Sequence, residues 1–110
     1  MTLTEVAEMV ESIGLPYAYF EFPDDTPREP PFICYLYTDS DDMYADDQNY
    51  QDIRALVIEL YTKQKDFAQE DAVRQVLNNH NLPFSQASDY ISDERVYIST
   101  FTTEVVITHG

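Results

Sequence analysis

The stretch DIRALVIELYT, Asp52 to Thr62, constrains the fold most. Leu56, Ile58 and Leu60 alternate there with Val57, Glu59 and Tyr61. A helix of this length is the rival reading. Apolar residues recurring at period two, with many β-branched and aromatic side chains, favour a strand instead. Because strand neighbours point to opposite faces, Leu56, Ile58 and Leu60 share one side of a sheet.

The flanking segments supply that sheet and its cover. Thr2 and Glu5 have capping-box spacing, followed by a helical stripe of Leu3, Val6, Val10 and Ile13 with Ala7 beside it, so a helix is expected near residues 3 to 13. Gly14 can take the left-handed conformation that ends it, and Pro16 prevents resumption. A strand is expected from Tyr17 to Phe22, then a loop, because Pro23, Pro27, Pro30 and Pro31 exclude helix and inner strand. Phe32 to Thr38 reads as the next strand. Asp66 and Gln69 again have cap spacing, and Ala68, Ala72, Val73, Val76 and Leu77 form the stripe of a second helix near residues 67 to 79. Leu82 to Tyr90 and Arg95 to Ile107 read as the last two strands. The two helix exits echo each other: Gly14-Leu15-Pro16-Tyr17 and Asn81-Leu82-Pro83-Phe84. The order α-β-β-β-α-β-β implies an α+β fold with two helices on one face of a mainly antiparallel sheet. A chain of 110 residues suits a single domain spanning 1-110.

Charge narrows the function. The sequence holds 21 acidic and 6 basic residues, a formal net charge of -15. Phosphate-backbone binding needs clustered Lys and Arg, so specific nucleic-acid binding is not expected. No apolar run approaches the roughly 20 residues that span a bilayer, and Met1 to Glu5 does not resemble a signal peptide. Synthesis in the cytosol and no membrane partner are expected. The lone Cys34 sits among apolar residues with no adjacent cation to lower its pKa, and reads as a buried structural thiol.

Catalytic signatures are missing from the pattern. His80 and His109 stand apart from any nucleophile-and-base arrangement. Two glycines cannot build a phosphate loop, and no Cys/His cluster points to zinc. The expectation is a protein with no enzymatic activity, no cofactor and no catalytic or metal-ligating residues.

Residues 35 to 50, YLYTDSDDMYADDQNY, carry Asp39, Asp41, Asp42, Asp46 and Asp47. An EF-hand beginning at Asp39 fails at Met43, Tyr44 and Tyr50, where a ligand, a glycine and a glutamate are required. The expected reading is a long acidic hairpin tip between two strands, with a weak irregular cation site as its rival. The strands also carry apolar residues on both alternations. Two small helices cannot cover two faces, so Tyr35, Tyr37, Val57 and Tyr61, joined by Tyr97 and Phe101 in one register, form a candidate interface on the face away from the helices.

Four runs together resemble a known kind of protein: Leu15 to Phe20 (LPYAYF), Pro30 to Tyr37 (PPFICYLY), Tyr44 to Tyr50 (YADDQNY) and Val57 to Asp66 (VIELYTKQKD). They resemble small head-tail morphogenesis proteins of phages and prophages of Gram-positive bacteria, known as minor capsid or tail proteins. The element order is also similar to tail terminator and tail completion proteins of long-tailed phages. That resemblance implies a structural virion protein at the head-tail junction, a homo-oligomeric ring (hexameric in those relatives) and contacts with neighbouring tail or neck proteins. An acidic channel lining would let DNA pass without sticking. An acidic DNA mimic that blocks a host DNA-binding protein is the alternative from a different class, and a metal-dependent binding module ranks behind it.

Overall fold

The computed structural model describes residues 1–22, 29–40 and 52–109. The elements are α1 (Leu3–Glu11), β1 (Tyr17–Tyr19), β2 (Phe32–Ser40), β3 (Asp52–Thr62), α2 (Phe67–Asn79), β4 (Phe84–Ile91) and β5 (Val96–Ile107). The strands form one five-stranded sheet in the order β1-β2-β3-β5-β4. β1 runs parallel to β2, while the other neighbours are antiparallel. The sheet is therefore mixed, which corrects the expectation of a mainly antiparallel one. Parallel neighbours need a connection that carries the chain back to its starting end. The composition of the intervening sequence, whose prolines exclude helix and inner strand, does not distinguish such a return from a simple turn.

Local chemistry sets the helix ends. The Thr2 hydroxyl accepts from the Glu5 N–H (3.0 Å) and a Glu5 carboxylate oxygen accepts from the Thr2 N–H (2.8 Å), completing the capping box. Asp66 Oδ1 accepts from the Gln69 N–H at 3.1 Å and starts α2. Gly14 (φ +93°) and Asn81 (φ +57°) are both left-handed, so the echoed exits share one backbone device. β1 is shorter than expected. Phe20 turns to φ +70°, and the Glu21 N–H folds back onto the Tyr19 carbonyl at 2.8 Å, so the strand stops at Tyr19.

β3 lies at the centre of the sheet and sets the core. Leu56, Ile58 and Leu60 stand opposite Tyr37, Tyr35 and Ile33 on β2, and opposite Thr103, Phe101 and Ser99 on β5. Directly opposed residues project to the same face. Val6, Met9 and Val10 of α1 and Val73 and Leu77 of α2 close over this face and join its buried core. Two stripe assignments change: Met9 is buried where Leu3 is exposed, and Ala68 is exposed where Glu70 is buried.

Glu70 is only 3% exposed, on the inner side of α2. Its carboxylate pairs with Lys65 Nζ at 2.8 Å, accepts from Gln86 Nε2 at 2.9 Å and lies 3.8 Å from Arg74 Nη1. Arg74 also pairs with Asp71 and donates to Gln86 Oε1 at 2.7 Å. A buried carboxylate is tolerable only when paired and hydrogen-bonded, and this network fastens α2 to β4.

Candidate assembly surface

The second face of the sheet carries Phe32, Cys34 and Leu36 of β2, Ala55, Val57, Glu59 and Tyr61 of β3, and Ile98, Thr100, Thr102, Glu104 and Val106 of β5. Both helices pack on the other side. Val57, Ile98, Thr100 and Thr102 are half-buried and Val106 is exposed. The centre of the sheet thus presents an apolar and hydroxyl-bearing strip of Val57, Ile98, Thr100 and Thr102, with the carboxylates Glu59, Glu104 and Asp89 on the same face.

The structure divides the sequence-derived interface set. Val57 and Tyr61 lie on this open face. Tyr35 and Tyr37 lie on the helix side, opposite Ile58 and Leu56. Tyr97 and Phe101 are on that side as well, opposite Thr62 and Ile58. This is a correction with a simple cause. Alternation within a strand says which of its residues share a face; the register says which alternation of the next strand joins them, and a slip of one residue exchanges the two. Tyr35 is buried at 8% exposure, with Tyr19 packed edge-on at 5.2 Å between ring centroids. Tyr37 lies 5.9 Å from Tyr19 and receives the Arg54 guanidinium 5.3 Å from its centroid. Its buried hydroxyl has no hydrogen-bond partner among the described residues, and burial, then Tyr35, push its pKa up to about 12.

Of the acidic candidates, Asp39 falls in the last residues of β2, where the pairing with β3 slips by one position between Tyr37 and Ser40. Asp41, Asp42, Asp46 and Asp47 lie outside the described residues, as does the hairpin tip they were read into. Among the described residues, no group of three or more His, Cys, Asp or Glu is placed to hold a metal ion. No described helix is long and apolar enough to cross a membrane.

The described cations are mostly spoken for. Arg54 pairs with Asp52 (2.9 Å), Lys63 with Glu29 (2.6 Å), Lys65 with Glu70 (2.8 Å) and Arg74 with Asp71 and Glu70. The described surface therefore offers no cluster of unpaired cations to a phosphate backbone. Asp52 is also held by His109 Nε2 at 2.7 Å. Its two Arg54 hydrogen bonds, then the His109 contact, keep its carboxyl down at about 2. Met1 N donates to the Val106 carbonyl and the Thr108 N–H to the Met1 carbonyl, so the two ends of the described chain meet beside this cluster.

At one end of the open face an aromatic group rises from the sheet. Phe32 and Tyr61 stack at 4.6 Å, nearly parallel, and Phe22 meets Phe32 edge-on at 5.4 Å. Cys34 lies beneath, 5% exposed; burial, then Glu59 and Glu21, push its thiol pKa up, so it is an unreactive core thiol. Phe20 stands beside the group 59% exposed. The sequence pattern missed Phe20, because a left-handed backbone at phenylalanine has no signature in composition or spacing. Ile98 was legible as part of an alternation, but only the register turns it outward.

No family model and no curated protein matches this sequence. Among solved structures, a chain in the virion of a native gene transfer agent particle superimposes with a TM-score of 0.63 at 14% identity, over 96% of this chain and 87% of that one. At that identity the likeness is one of fold. The two helices and the mixed five-stranded sheet form an α+β fold similar to that of a component of a phage-like particle.

Proposed function

We propose that this protein is a structural component of a phage-type virion that acts without enzymatic activity at the head-tail junction, as a ring of identical subunits of the tail terminator or tail completion kind. The observation that supports this most is the near-complete superposition on a chain of the gene transfer agent virion, across almost the whole of both chains. The half-buried sheet face around Val57, Ile98 and Thr102 is consistent with it, since interface cores are depleted in charge. In this reading the part of the open face around Val57 and Ile98 meets a neighbouring copy, and the net charge of -15 keeps passing DNA from adhering.

The test is deletion of the gene in the phage or prophage that encodes it, with electron microscopy of the lysate. The expected result is loss of infectious particles, accumulation of unjoined heads and tails, and rescue by the native gene. The purified protein is expected to sediment as a closed oligomer when salt screens its charge. Normal particle yield without the gene would overturn the proposal. So would stoichiometric, salt-sensitive capture of a host DNA-binding protein together with absence of this chain from purified particles, the result expected of a DNA mimic.

A further inference from the structure

The aromatic group on the open face borders an open cleft of about 520 Å³, lined by Phe20, Phe32, Tyr61 and Cys34 together with Glu21 and Glu94. We propose that this cleft receives an arginine side chain from a neighbouring virion protein. Its walls combine two kinds of surface. The rings offer π faces, and Phe20 is 59% exposed at the rim. The carboxylates arrive from two separate parts of the chain: Glu21 follows β1, and Glu94 lies in the turn from β4 to β5. A third, Glu59, lies alongside on β3, accepting from the Tyr61 hydroxyl at 3.4 Å. None of the three forms an ion pair among the described residues, and no described lysine or arginine lines the cleft. Aromatic faces and carboxylates without a cation complement a guanidinium, which is planar, stacks on rings and pairs with carboxylates at its edge. Lysine fits less well, since its compact ammonium is more strongly hydrated and does not stack.

The electrostatics of the cleft agree with this geometry. Burial, then the charge of Glu59, raise the Tyr61 pKa, with Glu94 adding to the same direction. The same carboxylates give the cleft a negative potential that favours an incoming cation. Phe20 is held in place by its N–H, which donates to the Tyr35 carbonyl at 2.7 Å while its backbone stays left-handed. The ring is therefore presented outward by the main chain.

This inference deepens the virion reading by naming the chemistry of one contact, and it can fail while that reading stands, because it is measured on the isolated protein. Nα-acetyl-arginine amide is titrated into the ¹⁵N-labelled full chain, with Nα-acetyl-citrulline amide as the neutral isostere and spermidine as the generic cation. The expected result is saturable shifts confined to the amides around Phe20, Phe32, Tyr61 and Glu94, with citrulline producing none at equal concentration. The double change Glu21→Gln and Glu94→Gln, at two exposed positions, is expected to weaken arginine binding about fivefold or more. Phe20→Asn removes the ring but keeps a residue tolerant of the left-handed backbone, and is expected to weaken binding with the fold intact. Equal binding of citrulline, tighter binding of spermidine, or unsaturable shifts spread over the acidic surface would each overturn the proposal. Self-association abolished by Arg95→Gln and accompanied by shifts in this cleft would also overturn it, since the occupant would then be a second copy.

Discussion

Leu60 and Tyr61 are neighbours on one strand and live in different environments. Leu60 and its alternates Leu56 and Ile58 are sealed beneath two helices. Tyr61 and its alternate Val57 lie on a face that no described helix covers, only half-buried by their strand neighbours. The residues are similarly apolar, so hydrophobicity alone does not separate a core from an interface. What separates them is which alternation the helices happen to meet. The helix face also has its polar corners: Glu70 and Asp52 are buried there, each held by cations, whereas Glu21, Glu59 and Glu94 near the open face form no ion pair among the described residues.

The contrast can be broken most forcefully from the core side. Ile58→Ala is expected to cost about 2–5 kcal/mol of unfolding free energy, the range for emptying a fully buried aliphatic site. Denaturant titration measures it, and a loss below that of an open-face change would erase the distinction between the faces. Next is the buried network under α2. Lys65→Met removes the nearest partner of Glu70 and should cost about 1–2 kcal/mol, at the lower end of the range for hydrogen bonds to charged groups because Lys65 is partly solvated. Further substitution of Glu70 by Gln in that background should recover part of the loss, which a double-mutant cycle would detect.

The Asp52 cluster gives a pH signature. Its folded pKa is depressed to about 2, below the usual value of ~3.9 for an unfolded aspartate. The stabilisation is therefore fully present above about pH 4 and is lost as pH falls towards 2. Native protein should lose stability over that window more steeply than Asp52→Asn, as followed by denaturation at stepped pH. Parallel curves would remove Asp52 from the account. The smallest effect on stability is expected on the open face. Val57→Ala should cost about 0.5–1 kcal/mol, because the side chain is only half-buried. Changing Val57 and Ile98 together to Lys should leave the circular dichroism of the subunit unchanged while abolishing the oligomer by sedimentation. If that pair unfolds the subunit, the face belongs to the core; if the oligomer persists, the interface lies elsewhere.

Much of the scaffold is written locally. Thr2 and Glu5 specify a helix start whatever surrounds them, because both hydrogen bonds close within one turn. Gly14 and Asn81 mark helix exits for the same short-range reason. The strand from Asp52 to Thr62 follows from period-two patterning. Other features were settled only when distant segments met. The parallel seat of β1 depends on where the chain returns, and the single residue of register between β2 and β3 moved Tyr35 and Tyr37 from the expected interface to the helix side. Glu70 looks like a solvated helix residue until Lys65 and Gln86 are brought to it. The cleft at Tyr61 draws its carboxylates from segments far apart in sequence, with no spacing to announce it. The sequence by itself determined where helices and strands begin and which residues alternate, because caps and pleat act between near neighbours. Only the tertiary structure decided which alternation became core and which was left outward, because that choice lies in strand register and helix docking, which are properties of pairs of elements.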